Sequence, residues 1–329
     1  MVYKVGMRFL AILCCLLLSV GGPAHAQPLA PIEAGLAQHL LNRLGYGPAP
    51  GEVARVRALG AQGWVDSQLA PPPMPPRLEA RLRTLPGPEA ALLRAIASPR
   101  QLEQVLVRFW LDYFKKEEAA EALLRPHVLG RYADLRAALD QHARGRHGER
   151  SAMGALVRHF VSAPSASLQA SVWRVWEATG GEQRAVLRQL LTSPEFLAPS
   201  QWRSKEKDGF RFVVSAVRAS GLAVDKLAPL VAFADGPLPD AQRAEFVERL
   251  AAGRLALTAS VEPYEYASSA PPLRAGAAGE APLGTLAQPG PVLMAAPTPS
   301  AAAMAAARSH PAHAQGLREL LQSRDFLRY

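Results

Sequence analysis

The chain has 329 residues, 49% of them hydrophobic, which suffices for one large or two small domains with a buried core. Its formal charge is +9, from 37 Lys and Arg against 28 Asp and Glu. The basic residues are spread along the chain without a stacking-aromatic motif, so no nucleic-acid partner is expected.

The first 26 residues read as an export signal. Lys4 and Arg8 form a positive start, residues 9–20 an apolar run, Gly21-Gly22-Pro23 a break, and Ala24-His25-Ala26 a cleavage site that puts Gln27 first in the mature chain. The apolar run is too short to span a bilayer, so no stable membrane anchor is expected after cleavage between Ala26 and Gln27. Both cysteines, Cys14 and Cys15, lie in this segment, and Ile12-Leu13 before them does not suit a lipoprotein site. The mature chain is therefore expected in the periplasm or outside the cell, without disulfides, thiol catalysis or a Cys-ligated zinc.

Residues 32–44 predict a helix with Leu36, Leu40, Leu41 and Leu44 on one side, stopped by Gly45-Tyr46-Gly47-Pro48. Residues 50–59 predict a second helix that ends at Gly60, followed by a short one carrying Trp64, Val65 and Leu69. The proline-rich stretch 71–76 is a stiff extended connector, and short helices are expected at 77–85 and 89–97. Then comes the segment on which the rest is organised, QLEQVLVRFWLDYFKK at 101–116. Leu102, Val105, Leu106, Phe109, Trp110, Tyr113 and Phe114 recur on one helical face, and Ser98-Pro99 is the expected N-cap and first-turn proline. A helix is expected to start at His127, a polar linker at 144–150 runs into 151–160, and a further helix is expected at 239–250.

No run alternates with period two for long enough to argue a sheet. The predicted fold class is all-α, a multi-helix array around one buried aromatic helix. The helical domain is expected over 27–260, in halves 27–143 and 151–260. An Ala/Pro-rich insert at 261–315 reads as a disordered loop, with an alanine-rich helix at 300–308, and residues 316–329 as a helix docking back on the domain. LRQLLTSPEFL at 187–197 and LRELLQSRDFL at 317–327 echo each other. Each reads as a helix end, a serine cap and a phenylalanine anchor on the core.

Several blocks carry a resemblance. They are Arg43 with Gly45-Tyr46-Gly47-Pro48; Gly60, Trp64, Val65, Gln68 and Leu69; Phe109-Trp110-Leu111-Asp112-Tyr113-Phe114; the HVLGRYADL of 127–135; the ALVRHFV of 155–161; the RAVLRQLLTSPEF of 184–196; and the KEKDGFRFVVSAVRAS of 205–220. Together they resemble the bacterial exported family called domain of unknown function 1800, as a shortened, diverged member. Asp112-Tyr113 replaces the family's Asn-His pair, Asp208-Gly209 stands where the family has proline after Lys207, and the family's long middle region is missing where 144–150 runs straight into 151–160. The resemblance implies an exported sulfatase-like or phosphatase-like protein as partner.

Nothing spells out a reaction. There is no G-x-S-x-G, S-x-x-K, P-loop or G-x-G-x-x-G, and no cofactor or metal is expected. His142 and His147 with Asp140 and Glu149 lack metal-site spacing. Glu117, Glu118 and Glu121 beside Lys115-Lys116 read as an exposed helix end or loop, and His39 as a helix-packing or surface residue. The polar candidates are Asp112, set within the aromatic run, with Arg108 four residues earlier as its ion-pair partner; His127, at an expected helix start; and His159, at a core edge. The leading expectation is a binding or scaffold protein that supports another exported protein. The alternatives are an envelope or extracellular hydrolase and a polyanion binder. A hydrolase needs convergent polar groups in a concave pocket, a scaffold an exposed apolar patch, and a polyanion binder arginines gathered on one face.

Overall fold

The structure, a computed structural model, describes residues 32–139, 148–257 and 311–329, all within one unit, Pro31–Tyr329. The export signal, the cluster of Asp140, His142 and His147, and the Ala/Pro-rich insert up to residue 310 lie outside the described residues. The described residues are all-α, with no strand and only two isolated bridges, Arg131 with Glu182 and Glu206 with Arg328.

Helix α1 (Ala34–Arg43) buries Ala37, Leu40 and Leu41 and packs as a hairpin on α2 (Glu52–Leu69). α2 is two helical pieces joined at Gly60, whose φ of 73° suits glycine alone, and Trp64, Val65 and Leu69 are buried beyond the break. Two short helices with proline in their first turns follow, α3 (Pro76–Leu82) and α4 (Gly87–Ala97). They lead to α5 (Gln101–Phe114), the aromatic helix. Its Leu102, Val105, Leu106 and Trp110 are buried, and it touches α2, α4, α6 (Glu121–Leu124) and α8 (Glu149–Phe160). The remaining helices are α7 (Tyr132–Leu139), α9 (Ala166–Thr179), α10 (Gln183–Leu191), α11 (Pro194–Leu197), α12 (Gly209–Ser220), α13 (Ala228–Ala234), α14 (Asp240–Ala251) and α15 (Pro311–Gln322). α15 begins five residues before the expected docking helix.

Two expectations are corrected. Ser98 does not cap α5: its Oγ accepts from Arg100 N–H at 3.0 Å in the turn after α4, and α5 starts only at Gln101. The cap comes instead from α2, where Gln68 Oε1 accepts from Leu102 N–H at 3.1 Å while Gln68 Nε2 donates to the Pro99 carbonyl at 3.3 Å. His127 does not start a helix either. Residues 130–132 are drawn into backbone pairing with the start of α10, Tyr132 N–H to Gly181 O and Gln183 N–H to Gly130 O, both at 2.9 Å. The helix cannot begin before Tyr132, and 127–130 form a turn.

The two serine turns share one geometry. Ser193 Oγ accepts from Phe196 N–H at 3.2 Å, and Ser323 Oγ from Phe326 N–H at 3.1 Å. Each hydroxyl also donates to the carbonyl three residues back, and Phe196 and Phe326 both pack on the core.

The turn between α1 and α2 is the junction of the fold. Gln101 Oε1 accepts from Tyr46 N–H at 3.3 Å, and a Cβ on Gly45 would lie 2.9 Å from that same oxygen. From α12, Arg211 Nη1 donates to the carbonyls of Asn42 and Gly45, and Arg218 Nε donates to the carbonyl of Gly47. The glycines let the chain approach closely, and the arginines satisfy the carbonyls that the ended helix leaves open.

His39, on α1, is buried beside Phe196, and its Nε2 donates to the Phe196 carbonyl at 3.0 Å. Burial, then the charge of Arg43, pulls its pKa down to about 3, so it is held neutral. The unfolded chain binds this proton below about pH 6.5 and the folded chain does not. Its contribution is therefore intact above that pH and is lost as pH falls, by roughly 1.4 kcal/mol per pH unit. Tm should drop as pH is lowered from 7 to 5, and His39→Gln should make that drop shallower. An unchanged slope in the variant would refute the assignment.

Candidate functional site

α5 turns Trp110 inward and leaves Arg108, Phe109, Asp112 and Tyr113 at its outer side, each half-buried or exposed. Across from them stands the start of α12, with Asp208 as its N-cap, the Asp208 Oδ1 accepting from Arg211 N–H at 2.7 Å. Gly209 is the only residue type that fits there, because a Cβ would lie 2.6 Å from the Gly236 carbonyl oxygen. Three cavities of about 430, 300 and 440 Å³ meet between these elements, and Arg108 and Phe210 line all three. The Arg108 guanidinium lies 4.8 Å from the Phe210 ring centroid. The three cavities share this stacked pair in their walls, the first and third also share Ala234, and together they make up the groove beside α5.

Three of the four polar residues singled out from sequence converge here. Arg108, Asp112 and His159 line the 300 Å³ cavity together. Arg108 Nε and Asp112 Oδ2 are 3.9 Å apart, and the Asp112 side chain is 69% exposed, a loose ion pair on the helix flank. Partial burial raises the Asp112 pKa, against the pull of Arg108. His159 packs against Phe109 and Phe160, and burial followed by the charges of Arg211, Lys205 and Arg43 holds its pKa well below the ordinary value. It is a neutral imidazole at physiological pH. His127 stands apart. It lines none of the three cavities, and its carbonyl accepts from Gln183 Nε2 at 3.0 Å.

The charged lining changes along the groove. The first cavity has four carboxylates, Asp112, Glu118, Glu121 and Asp235, against three cations, Arg108, Lys116 and Arg125. The second balances Arg108 and Arg211 with Asp112 and Asp208. The third has three cations, Arg108, Lys207 and Arg243, against Asp208 alone. Glu118 is pushed up by burial, then by Glu121. Lys207 is pulled down to about 7 by burial, then by Arg211, and its ammonium lies 3.7 Å from the Phe326 ring centroid. Among these groups Glu118, Asp235 and Lys207 make no salt bridge within the described residues, whereas Glu121 pairs with Arg94 and Arg243 with Asp240, both at 3.1 Å.

At the second cavity, lined by Arg211 and Tyr329, stands a further group that sequence reading left unassigned. The Tyr329 ring has the Arg211 guanidinium at 4.0 Å and that of Arg43 at 4.9 Å. Tyr329 and Lys205 exchange backbone hydrogen bonds of 2.8 and 3.1 Å. Arg43 is 1% exposed, donates to Gln201 O and Ser204 Oγ, and keeps Nε and Nη1 without partners. Burial lowers its pKa to about 10, and burial with Arg43 lowers that of Lys205 to about 8. Lys205 and Lys207 fall in the 205–220 block and Arg43 in the block at 43–48, but nothing local in sequence tied Arg43 or Tyr329 to the lysines.

The Glu117–Glu121 segment is not simply an exposed end, which corrects the sequence expectation. Glu121 pairs with Arg94 at 3.1 Å and with Arg125, and Arg125 also pairs at 3.0 Å with Glu103, a carboxylate on α5 that is 3% exposed. This network walls the acidic end.

A family model described as "Protein of unknown function (DUF1800)" matches residues 39–144 and 149–270, more than half of the chain. The gap between the two matches falls at the polar linker. No curated protein and no solved structure matches the chain.

Proposed function

The chain belongs to the DUF1800 family, and from that premise we propose that it is an exported binding protein that takes part of its partner into the groove along α5. The carrying observation is the meeting of three cavities at Arg108 and Phe210. The partner class is a second exported protein, of the sulfatase-like or phosphatase-like kind. Recognition is favoured in the groove because the large hydrophobics exposed among the described residues, Leu123 and Leu320, belong to separate helical regions and form no patch. Binding is favoured over hydrolysis by a hydroxyl or thiol nucleophile because the groove offers no Ser, Thr or Cys in its walls, and His159 is held neutral among aromatic rings. Arg108→Glu tests the reading. The full chain, expressed with its own leader, should retain one stoichiometric exported protein. The variant should lose it while losing no more than about 1–2 kcal/mol of stability, the cost of the Phe210 stack and of a carboxylate four residues from Asp112. Equal retention by both chains would sink the proposal.

A further inference from the structure

We propose that the groove is a docking site for an extended peptide segment of opposite end charges, a basic side chain in the first cavity and an acidic one in the third, with an apolar side chain between them on Phe210. The inference rests on the reading above and names the chemistry of the segment.

Charge complementarity carries it. Glu118 and Asp235 line the first cavity alone, and Lys207 the third alone with Arg243, which pairs with Asp240 at 3.1 Å; Arg108 stacked on Phe210 lies in the wall of both. A single small anion would satisfy one end only. An extended chain advances about 3.3 Å per residue and turns alternate side chains to the same face. Such a segment can place two charged groups in separate cavities and an apolar one at the middle. The aromatic walls, Phe109 and Phe210 in the second cavity and Phe210 and Phe212 in the third, suit the apolar stem of the segment.

Titration gives a second readout. Lys207 faces Arg108 and Arg243 across the third cavity, with Asp208 beside it, Arg211 on α12 and the Phe326 ring of the C-terminal segment. A carboxylate brought to Lys207 favours its charged form. Binding should therefore tighten as pH is lowered from 9 to 7 and take up protons near pH 8.

Fluorescent peptides of equal length, one with a lysine end and a glutamate end flanking leucine, one all-acidic, one all-basic and one neutral, are titrated against the full chain at low salt. The bipolar peptide should bind at least ten-fold tighter than the other three. Lys207→Glu should remove that preference, and a peptide whose glutamate end is changed to lysine should recover affinity for that variant. Arg243→Gln, at a side chain 29% exposed that lies over the Phe212 ring and pairs with Asp240, should weaken the bipolar peptide several-fold, and its unchanged melting temperature is the control that lets it serve if the first variant fails to fold. Equal affinity for the all-acidic peptide, or displacement by inorganic phosphate alone, would make the cationic end a plain anion site and overturn the inference. If no peptide binds while partner capture still depends on Arg108, the inference fails and the binding role stands; if capture is also independent of Arg108, both fail.

Discussion

Trp110→Ala should destabilise the protein by about 3–5 kcal/mol, read as a lowered urea midpoint at unchanged slope. Trp110 is 0% exposed and sits among Phe109, Tyr113, Phe114 and Tyr132, with ring centroids 4.7–5.6 Å away. Its Nε1 donates to Gln183 Oε1 at 2.9 Å, and Gln183 is itself fully buried. The substitution opens a cavity and strips a buried acceptor of its donor, two costs that add. Trp110→Phe separates them: it keeps most of the packing and should cost only about 1–3 kcal/mol. A loss below about 1 kcal/mol for the alanine variant would show that α5 is not the spine of the core. Against a typical total of about 5–15 kcal/mol, the expected loss leaves the chain near its unfolding threshold.

Arg218→Met should cost about as much, by a different route. Arg218 is 5% exposed, and its guanidinium donates to the Gly47 carbonyl at 2.8 Å, the Ile96 carbonyl at 2.6 Å and Glu52 Oε2 at 2.6 Å. Methionine fills much of the volume and satisfies none of these. Breaking a buried pair from one side leaves an uncompensated charge and typically costs about 3–5 kcal/mol. The test is a double-variant cycle. Adding Glu52→Gln to Arg218→Met should recover part of the loss, because the stranded carboxylate is then neutral. Strict additivity of the two losses would show that the pair is not coupled.

The helices were legible because a 3.6-residue period is local. Leu102, Val105, Leu106 and Trp110 announce α5 within a single stretch, Gly60 announces the break in α2, and the two Ser-x-x-Phe turns announce their own caps. What failed was whatever depends on a distant partner. Ser98 looked like a cap, yet the group that caps α5 is Gln68, 34 residues before the N–H it receives. His127 looked like a helix start, yet pairing with residues 181 and 183 delays the helix to Tyr132. The groove was legible only in part. Asp112 was visible as the carboxylate within the aromatic run, Arg108 as the cation four residues before it, and His159 by its place at a core edge. Lys207, Arg243 and the carboxylates Glu118 and Asp235 reach the same space from elements with no shared period. Glu103 went unnoticed because, at the first turn of an apolar helix, it reads as an ordinary favourable charge, and its burial arises only when Arg100 and Arg125 close over it.

The turn after α1 has a consequence for the order in which the molecule can assemble. Its carbonyls at Gly45 and Gly47 are satisfied by Arg211 and Arg218, which lie 166 and 171 residues further along the chain. During synthesis at about 5–20 residues per second, that turn emerges roughly ten to thirty seconds before the side chains that complete it. The start of the chain therefore waits, half-finished, for its end. Contacts of such span slow folding, because a large loop must close before the reward arrives.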